Sequence, residues 1–249
     1  MTYSIVARDP GSGALGIAVA SRFFAVGSLV PYIGHNVAFA SQAFVNPMWG
    51  VEGVQRLSGG ESGDSVMSDF IARDEGRAIR QAHLIDANGS IVAHTGAQCV
   101  DWAGHIADQG VSVAGNMLTG PDVIADTLAS FLAHSHLDFS ERLMTAMEAG
   151  EAAGGDKRGK QAAALRIHHS QSYPVLDLRV DDHADPLVEL RRLHAVAQER
   201  LVHFAHEFAT TRNFSGTTDR TLLDKAIAER EAQWRRDGVV SQSLATPHP

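Results

Sequence analysis

MTYSIVARDPGSGALGIAVASR, residues 1–22, is the stretch that decides the fold. Ser4–Ala7 and Leu15–Ser21 are β-prone runs, and Asp9-Pro10-Gly11-Ser12-Gly13 between them gathers the residue types that reverse a chain tightly. The pair reads as a β-hairpin that opens a sheet. Working outward, Val37–Phe44 reads as a third strand, then Asn46-Pro47 as a turn, then two amphipathic helices near Val51–Leu57 and Asp64–Arg73. Arg80–Asp86 and Ser90–Thr95 flank Ala87-Asn88-Gly89, and an Asn-Gly between alternating runs is a strong hairpin signal. Val111–Ala114 is a further strand. Helices follow over Pro121–Ala133, with proline tolerated in the first turn, and over Phe139–Glu151 before Gly154-Gly155. Ala162–His168 and Val175–Val180 are the last two strands.

This order of strands, two helices, strands, two helices, strands does not alternate as βαβ units do. It predicts the α+β class and a four-layer α/β/β/α sandwich of antiparallel sheets. After Asp185-Pro186, the apolar residues Leu187, Leu190, Ala197, Leu201, Phe204 and Phe208 recur on one helical face and predict a long amphipathic helix. Another helix is expected near Asp219–Arg236. The chain therefore divides into a core domain, 1–193, and a C-terminal helical appendage, 194–249. That appendage reads either as a homodimer contact or as ordinary intramolecular packing.

With 249 residues, 44% hydrophobic and 20% charged, the chain is an ordinary globular one that can bury a sizeable core. A formal net charge of −8 argues against a nucleic-acid-binding surface as its main business, because phosphate binding relies on concentrated Lys and Arg. The single cysteine, Cys99, excludes an internal disulfide framework and a multi-cysteine zinc site. Flanked by Val100 and Trp102, it reads as a buried, inert thiol. Between Arg22 and Glu52 no charged residue occurs, yet glycine, proline and amide side chains interrupt the stretch too often for a membrane span. No secretory signal pattern opens the chain, so the expectation is a cytoplasmic protein without membrane contact.

Thr2 carries the strongest chemical signal. Removal of Met1 would leave a free N-terminal threonine at the head of a strand, the layout of an N-terminal nucleophile hydrolase. A threonine hydroxyl is a poor nucleophile alone, whereas the α-amino group of the same residue, with a pKa of about 7.7–8.0, can serve as its base. With Met1 retained, that nitrogen lies in a peptide bond and the self-activation fails. Other apparent motifs dissolve on inspection. Gly11-Ser-Gly13-Ala-Leu-Gly16 matches the dinucleotide fingerprint, but Ile17–Ser21 is strand-like rather than helical and the distal carboxylate is missing, so the match is a hairpin turn. Gly154–Lys160 resembles a phosphate-binding loop, but Gln161 stands where Ser or Thr would hold magnesium, and helix and strand come in reversed order. Asp181-Asp182-His183 with Asp185 reads as a solvated turn rather than a metal site, and the histidines are scattered. No cofactor or metal is expected.

The segments MTYSIVARD, VASRFFAVGSLVP, ASQAFVNPMWG, HTGAQCVDWAGH, VAGNMLTG, EAGEAAGGDKRGKQ and DLRVDDHADPLVELRRL, spread in order from the N-terminus to Leu193, closely resemble the bacterial and archaeal family called domain of unknown function 1028. That family is grouped by fold with the N-terminal nucleophile hydrolases, which implies the same sandwich and leaves the substrate open. The resemblance to proteasome-type members implies that Gly16–Gly27 is their second strand and following loop. Ser21 and Arg22 match the end of their pattern, but Ala20 falls where an aspartate is usual. Their catalytic lysine would fall near His35 or Asn36. Arg22 is the electrostatic substitute at hand, although its guanidinium stays protonated and cannot shuttle a proton.

On this reading Thr2 Oγ attacks an amide carbonyl, the freed amine relays the proton, and the Gly115-Asn116 backbone with the Asn116 side chain cradles the oxyanion. Thr2, Arg22 and Asn116 are the catalytic candidates. Ser21, Gln42, Asn46 and Gly115 are candidate pocket residues, and Asp156, Lys157 and Arg158 are placed either to hold a charged group of a small-molecule or peptide-like substrate or to support the terminal amine. The competing expectation is a small-molecule-binding or interaction protein that keeps the sandwich without the chemistry.

Overall fold

The structure is a computed structural model and describes residues 2–246. A hairpin of β1 (Thr2–Arg8) and β2 (Leu15–Ser21) is followed by β3 (Pro31–Gly34) and β4 (Val37–Ala43). Next come α1 (Pro47–Ser58) and α2 (Gly63–Arg73), then β5 (Arg80–Ile85), β6 (Ile91–Thr95), β7 (Gly104–Asp108) and β8 (Val111–Asn116). The helices α3 (Asp122–Ala133) and α4 (Phe139–Ala152) precede β9 (Ala162–His168) and β10 (Pro174–Val180). Two antiparallel sheets result, one six-stranded in the order β10-β9-β2-β1-β8-β7 and one four-stranded in the order β3-β4-β5-β6. The helices α3 and α4 cover the first sheet, α1 and α2 cover the second, and the inner faces of the sheets meet. This is the four-layer α/β/β/α sandwich expected from the order of elements.

Strand alternation assigns each residue its layer. Val6, Ile17, Val19, Ala38, Ala40, Ile85 and Ala164 fill the space between the sheets, and small side chains there let the sheets approach. The opposite face of β4, Val37 and Phe39, packs with Trp49, Leu57, Val66 and Phe70 under α1 and α2. On β1 the odd positions Tyr3 and Ile5 are fully buried, and the Tyr3 hydroxyl donates to the Met147 carbonyl of α4 at 2.9 Å. The even positions Thr2, Ser4 and Val6 consequently face the other sheet. Gly150 of α4 fits because a Cβ there would come within 2.2 Å of Thr127 Oγ1 and 2.9 Å of the Tyr3 ring. Gly150→Ala gains helix propensity of about 1 kcal/mol, but the clash costs more. A net loss of about 1–3 kcal/mol is expected in urea unfolding, and a gain would show that α3 and α4 can move apart freely.

Two strands not expected from sequence, β3 and β7, lie at sheet edges. Edge strands carry the residues that weaken a strand pattern: Pro31 opens β3, Gly34 closes it, and β7 is only partly covered. Asn46 is not a turn but the N-cap of α1, accepting from Met48 N at 3.0 Å with Pro47 in the first helical position, so the helix starts earlier than the apolar pattern shows.

The chain forms two compact units, Met1–Leu187 and Val188–Pro249, dividing inside α5 (Pro186–Ala197), a few residues before the boundary read from sequence. In the second unit the expected long helix is broken. A turn at Gln198–Arg200 separates α5 from α6 (Leu201–His206), although the apolar periodicity runs on across it. The last helix, α7 (Thr221–Asp237), follows, and Arg200 pairs with Glu231 at 3.0 Å.

Candidate functional site

Thr2 opens β1 at the rim of the inter-sheet space, 5% exposed, with its Oγ1 donating to Ser21 Oγ at 3.3 Å. The hairpin register explains the meeting. Tyr3 pairs with Ala20, so the same register sets Thr2 directly opposite Ser21 at one sheet end. A cavity of about 250 Å³ adjoins Thr2. Val26 and Val30 form its buried wall, Leu29, Ala43 and Val45 are half-buried, and Phe23 and Phe44, 52% and 68% exposed, stand at its mouth. Thr2 supplies the hydroxyl of an otherwise apolar lining. Three non-glycine residues with left-handed backbone surround this region: Ala43 (φ 67°) in the lining, Ala25 (φ 56°) next to Val26, and Met117 (φ 58°) next to Asn116. Each costs about 1–3 kcal/mol, and such strain concentrates at sites where a particular shape is needed.

Behind Thr2 runs a buried polar network that sequence reading did not find. Asn116, paired with Thr2 across β1 and β8, donates through Nδ2 to Gln81 Oε1 at 2.9 Å and approaches the Thr2 carbonyl at 3.5 Å. Gln42 Nε2 donates to the same Gln81 oxygen at 2.9 Å. The Gln81 Nε2 group lies 2.8 Å from the Gly115 carbonyl, 2.9 Å from Thr95 Oγ1 and 3.0 Å from the Gly104 carbonyl. Ser4 Oγ donates to Gln42 Oε1 at 2.7 Å and sits 2.8 Å from His83 Nε2, while His83 Nδ1 is 2.9 Å from Ser112 Oγ. Ser4, Gln42, Gln81, His83 and Ser112 are all fully buried.

Burial pushes the His83 imidazole down to about 3, with His105 adding repulsion, and burial beside Arg166 takes His168 down to about 4. Both are neutral when folded, whereas an unfolded histidine takes a proton near pH 6.5. Below that value the unfolded chain binds more protons, so stability is full above about pH 6.5 and falls as the pH drops toward the folded values. Each histidine adds a slope of about 1.4 kcal/mol per pH unit. Urea midpoints at pH 7 and 5 should differ accordingly, and equal midpoints would mean that both rings accept protons inside the fold.

The Asp156 loop reaches the site from the other side. Asp156, 5% exposed, accepts from the Arg22 backbone N–H and the Arg158 backbone N–H, each at 2.8 Å, and from the Arg158 guanidinium at 3.3 Å. Gln161 N donates to the Ser21 carbonyl at 3.2 Å, so the loop clamps the end of β2 and fixes Ser21. The Arg22 guanidinium donates to the Arg158 carbonyl, and Lys157 Nζ donates to the Asp101 carbonyl at 2.6 Å. Neither Asp156, Lys157, Arg158 nor Arg22 lines the cavity. Gln42 belongs to the inter-sheet network, and Asn46 caps α1 while donating to Asp74 at 2.9 Å. Gly115 serves through its carbonyl, and a Cβ there would lie 2.4 Å from Leu118. His35 and Asn36 form the β3–β4 turn, where Arg8 donates to the Asn36 carbonyl at 2.9 Å. Arg8 ends β1, roughly 20 Å from Thr2 at about 3.3 Å per residue, so neither position supplies a group to Thr2. The acidic group Asp181, Asp182 and Asp185 is tied to Arg179, Gln161 and Lys160. Among the described residues no group of three or more His, Cys, Asp or Glu is arranged to hold a metal, and no helix is long and apolar enough to cross a membrane.

A family model described as a family of unknown function, DUF1028, matches residues 2–190. The chain belongs to the DUF1028 family. The crystal structure of protein SPO2555 from Silicibacter pomeroyi, described with the same DUF1028 family model, superposes with a TM-score of 0.79 at 31% identity. It covers 88% of this chain, and 96% of that chain is matched. No curated protein matches the chain. DUF1028 membership thus accounts for the sandwich and carries no named reaction with it.

Proposed function

We propose that this DUF1028 protein is an N-terminal nucleophile hydrolase of amide bonds that uses Thr2 once Met1 is removed. Met1 itself lies outside the described residues. The observation that carries the reading is a threonine hydroxyl at the head of a central strand, facing a cavity, with the Ser21 hydroxyl 3.3 Å away. In the reaction Thr2 Oγ attacks the amide carbonyl carbon while the freed α-amino group takes the hydroxyl proton. Collapse of the adduct breaks the C–N bond, and the proton passes to the departing amine. An ester on Thr2 remains, and water activated by the same amine cleaves it. Ser21 places a polar side chain within reach of the reacting oxygen. Asn116, whose amide is engaged by Gln81 and the Thr2 carbonyl, acts as a positioning residue rather than the oxyanion donor expected from sequence. Asp156 positions Ser21 through the Arg22 N–H. A cytoplasmic setting goes with this reading, since the one thiol, Cys99, needs no oxidising compartment.

A second reading, a binding protein without chemistry, draws on the apolar lining, which among the described residues includes no lysine to acidify the Thr2 hydroxyl. Intact-mass analysis of protein from its native host separates the two. Loss of the initiator methionine, with Thr2 modified by an acylating electrophile, is the expected result. Retained methionine on all of the protein leaves the binder.

A further inference from the structure

We infer that the cavity beside Thr2 is an acyl pocket, and that the substrates are amides of apolar carboxylic acids with about six to eight carbons. This rests on the proposed Thr2 chemistry and names its substrate class. The wall of Val26, Leu29, Val30 and Val45 offers no charged partner, and an unpaired carboxylate or ammonium brought into such a wall loses its hydration without compensation. Arg80 lies 5.4 Å from the Phe44 ring but is committed to the Phe44 carbonyl and to Asp74, while Arg22, Lys157 and Arg158 are bonded to backbone carbonyls or to Asp156, and all four stand outside the lining. The size of the space sets the length. At about 30 Å³ per water-sized atom, about 250 Å³ holds roughly eight heavy atoms.

The order of bond-breaking assigns this space to the acyl side. The acyl group stays on Thr2 through both steps, so a pocket that grips it holds the ester carbonyl in place for water. A leaving amine gripped there would have to pass the Phe23 and Phe44 rims before water could enter. Those two rings, exposed in the free protein, are then covered by the distal part of the acyl chain.

β-Lactones carrying alkyl chains of one to seven carbons test this directly, because they have an acyl side and no amine. Thr2 Oγ bonds to the lactone carbonyl carbon, the ring C–O bond breaks, and the hydroxyl proton ends on the released alkoxide by way of the α-amine. The protein gains the whole lactone mass, and no redox partner is needed. On full-length protein shown by mass to lack Met1, the labelling rate at Thr2 should rise about fourfold per added methylene until the cavity is filled, as burial of each methylene predicts. A lactone ending in a carboxylate should label at least tenfold more slowly than its alkyl counterpart. Leu29→Gln should flatten the chain-length series. So should Phe44→Ser, which changes a mostly exposed side chain and so leaves the fold intact. Labelling of Thr2 that ignores chain length, or that favours the carboxylate, overturns the acyl pocket and leaves the nucleophile standing. No labelling of Thr2 by any lactone overturns the nucleophile reading itself, and the pocket with it.

Discussion

Thr2→Ala should lower amide hydrolysis by at least about 10³-fold, whereas Thr2→Ser should retain activity within about tenfold of the parent. The alanine variant keeps the free terminal amine and the pairing of position 2 with Asn116, so only the nucleophile is lost. Removing an attacking oxygen from a covalent mechanism leaves the smaller rate enhancement due to binding and positioning. Serine keeps the oxygen and the hydrogen bond to Ser21 and gives up one methyl group. The pH profile of kcat/KM is the companion measurement. Only the neutral α-amine can take the proton, so the rate should fall about tenfold per pH unit where the amine is protonated and level off at higher pH where it is neutral. A Thr2→Ala protein that hydrolyses the same amide within twofold of the parent would remove Thr2 from the reaction altogether.

The sheet architecture was legible in the sequence because local signals are strong where strands join by tight turns. The β1–β2 turn contains Gly13 at φ 75°, and Gly89 of the β5–β6 turn sits at φ 86°, a conformation that glycine adopts freely. The pairings of β1 with β8 and of β2 with β9 join residues about 100 or more positions apart and leave no local trace, so the order of the six-stranded sheet could be seen only in three dimensions. The edge strands β3 and β7 escaped notice because an edge needs neither full burial nor a complete ladder.

The site divides the same way. Thr2 and Ser21 were legible because each ends a strand of one hairpin. Gln42 and Asn46 also stood out as polar residues in an uncharged stretch, but polarity alone does not say which neighbour a side chain meets. Gln42 points between the sheets and Asn46 turns back to cap its own helix. A usable signal for the missed network did exist. Gln81, His83 and Ser112 occupy alternate positions that share a face with core residues such as Ile85 and Ala114, where an apolar side chain would be the default. Polar residues repeating on the inward face of adjacent strands point to a shared internal network. Recognising it requires knowing which strands face each other across the sandwich.

That network makes Gln81 the side chain whose loss should cost the fold most. Its oxygen accepts from Gln42 and Asn116, and its nitrogen reaches Thr95 and the carbonyls of Gly104 and Gly115, so one amide links both sheets and the strand that positions Thr2. Gln81→Leu preserves volume yet leaves the Gln42 and Asn116 donors and up to three acceptors without their partner, in a region that water does not reach. At about 1–3 kcal/mol for each buried group left unsatisfied, and with some groups finding new bonds, a loss of about 3–5 kcal/mol is expected in urea unfolding. Gln42→Leu removes one bond to Gln81 and one to Ser4, and should cost about half as much. The two effects should also be non-additive in the double variant, because each single change already breaks their shared bond. Since Asn116 loses its anchor in Gln81→Leu, the same variant should slow Thr2 labelling in protein that is still folded, a readout that a purely structural role would leave unmoved. If Gln81→Leu unfolds within about 0.5 kcal/mol of the parent, water or a rearranged Asn116 replaces the amide, and the hold of the second sheet on Thr2 is lost as an explanation of how the nucleophile is aimed.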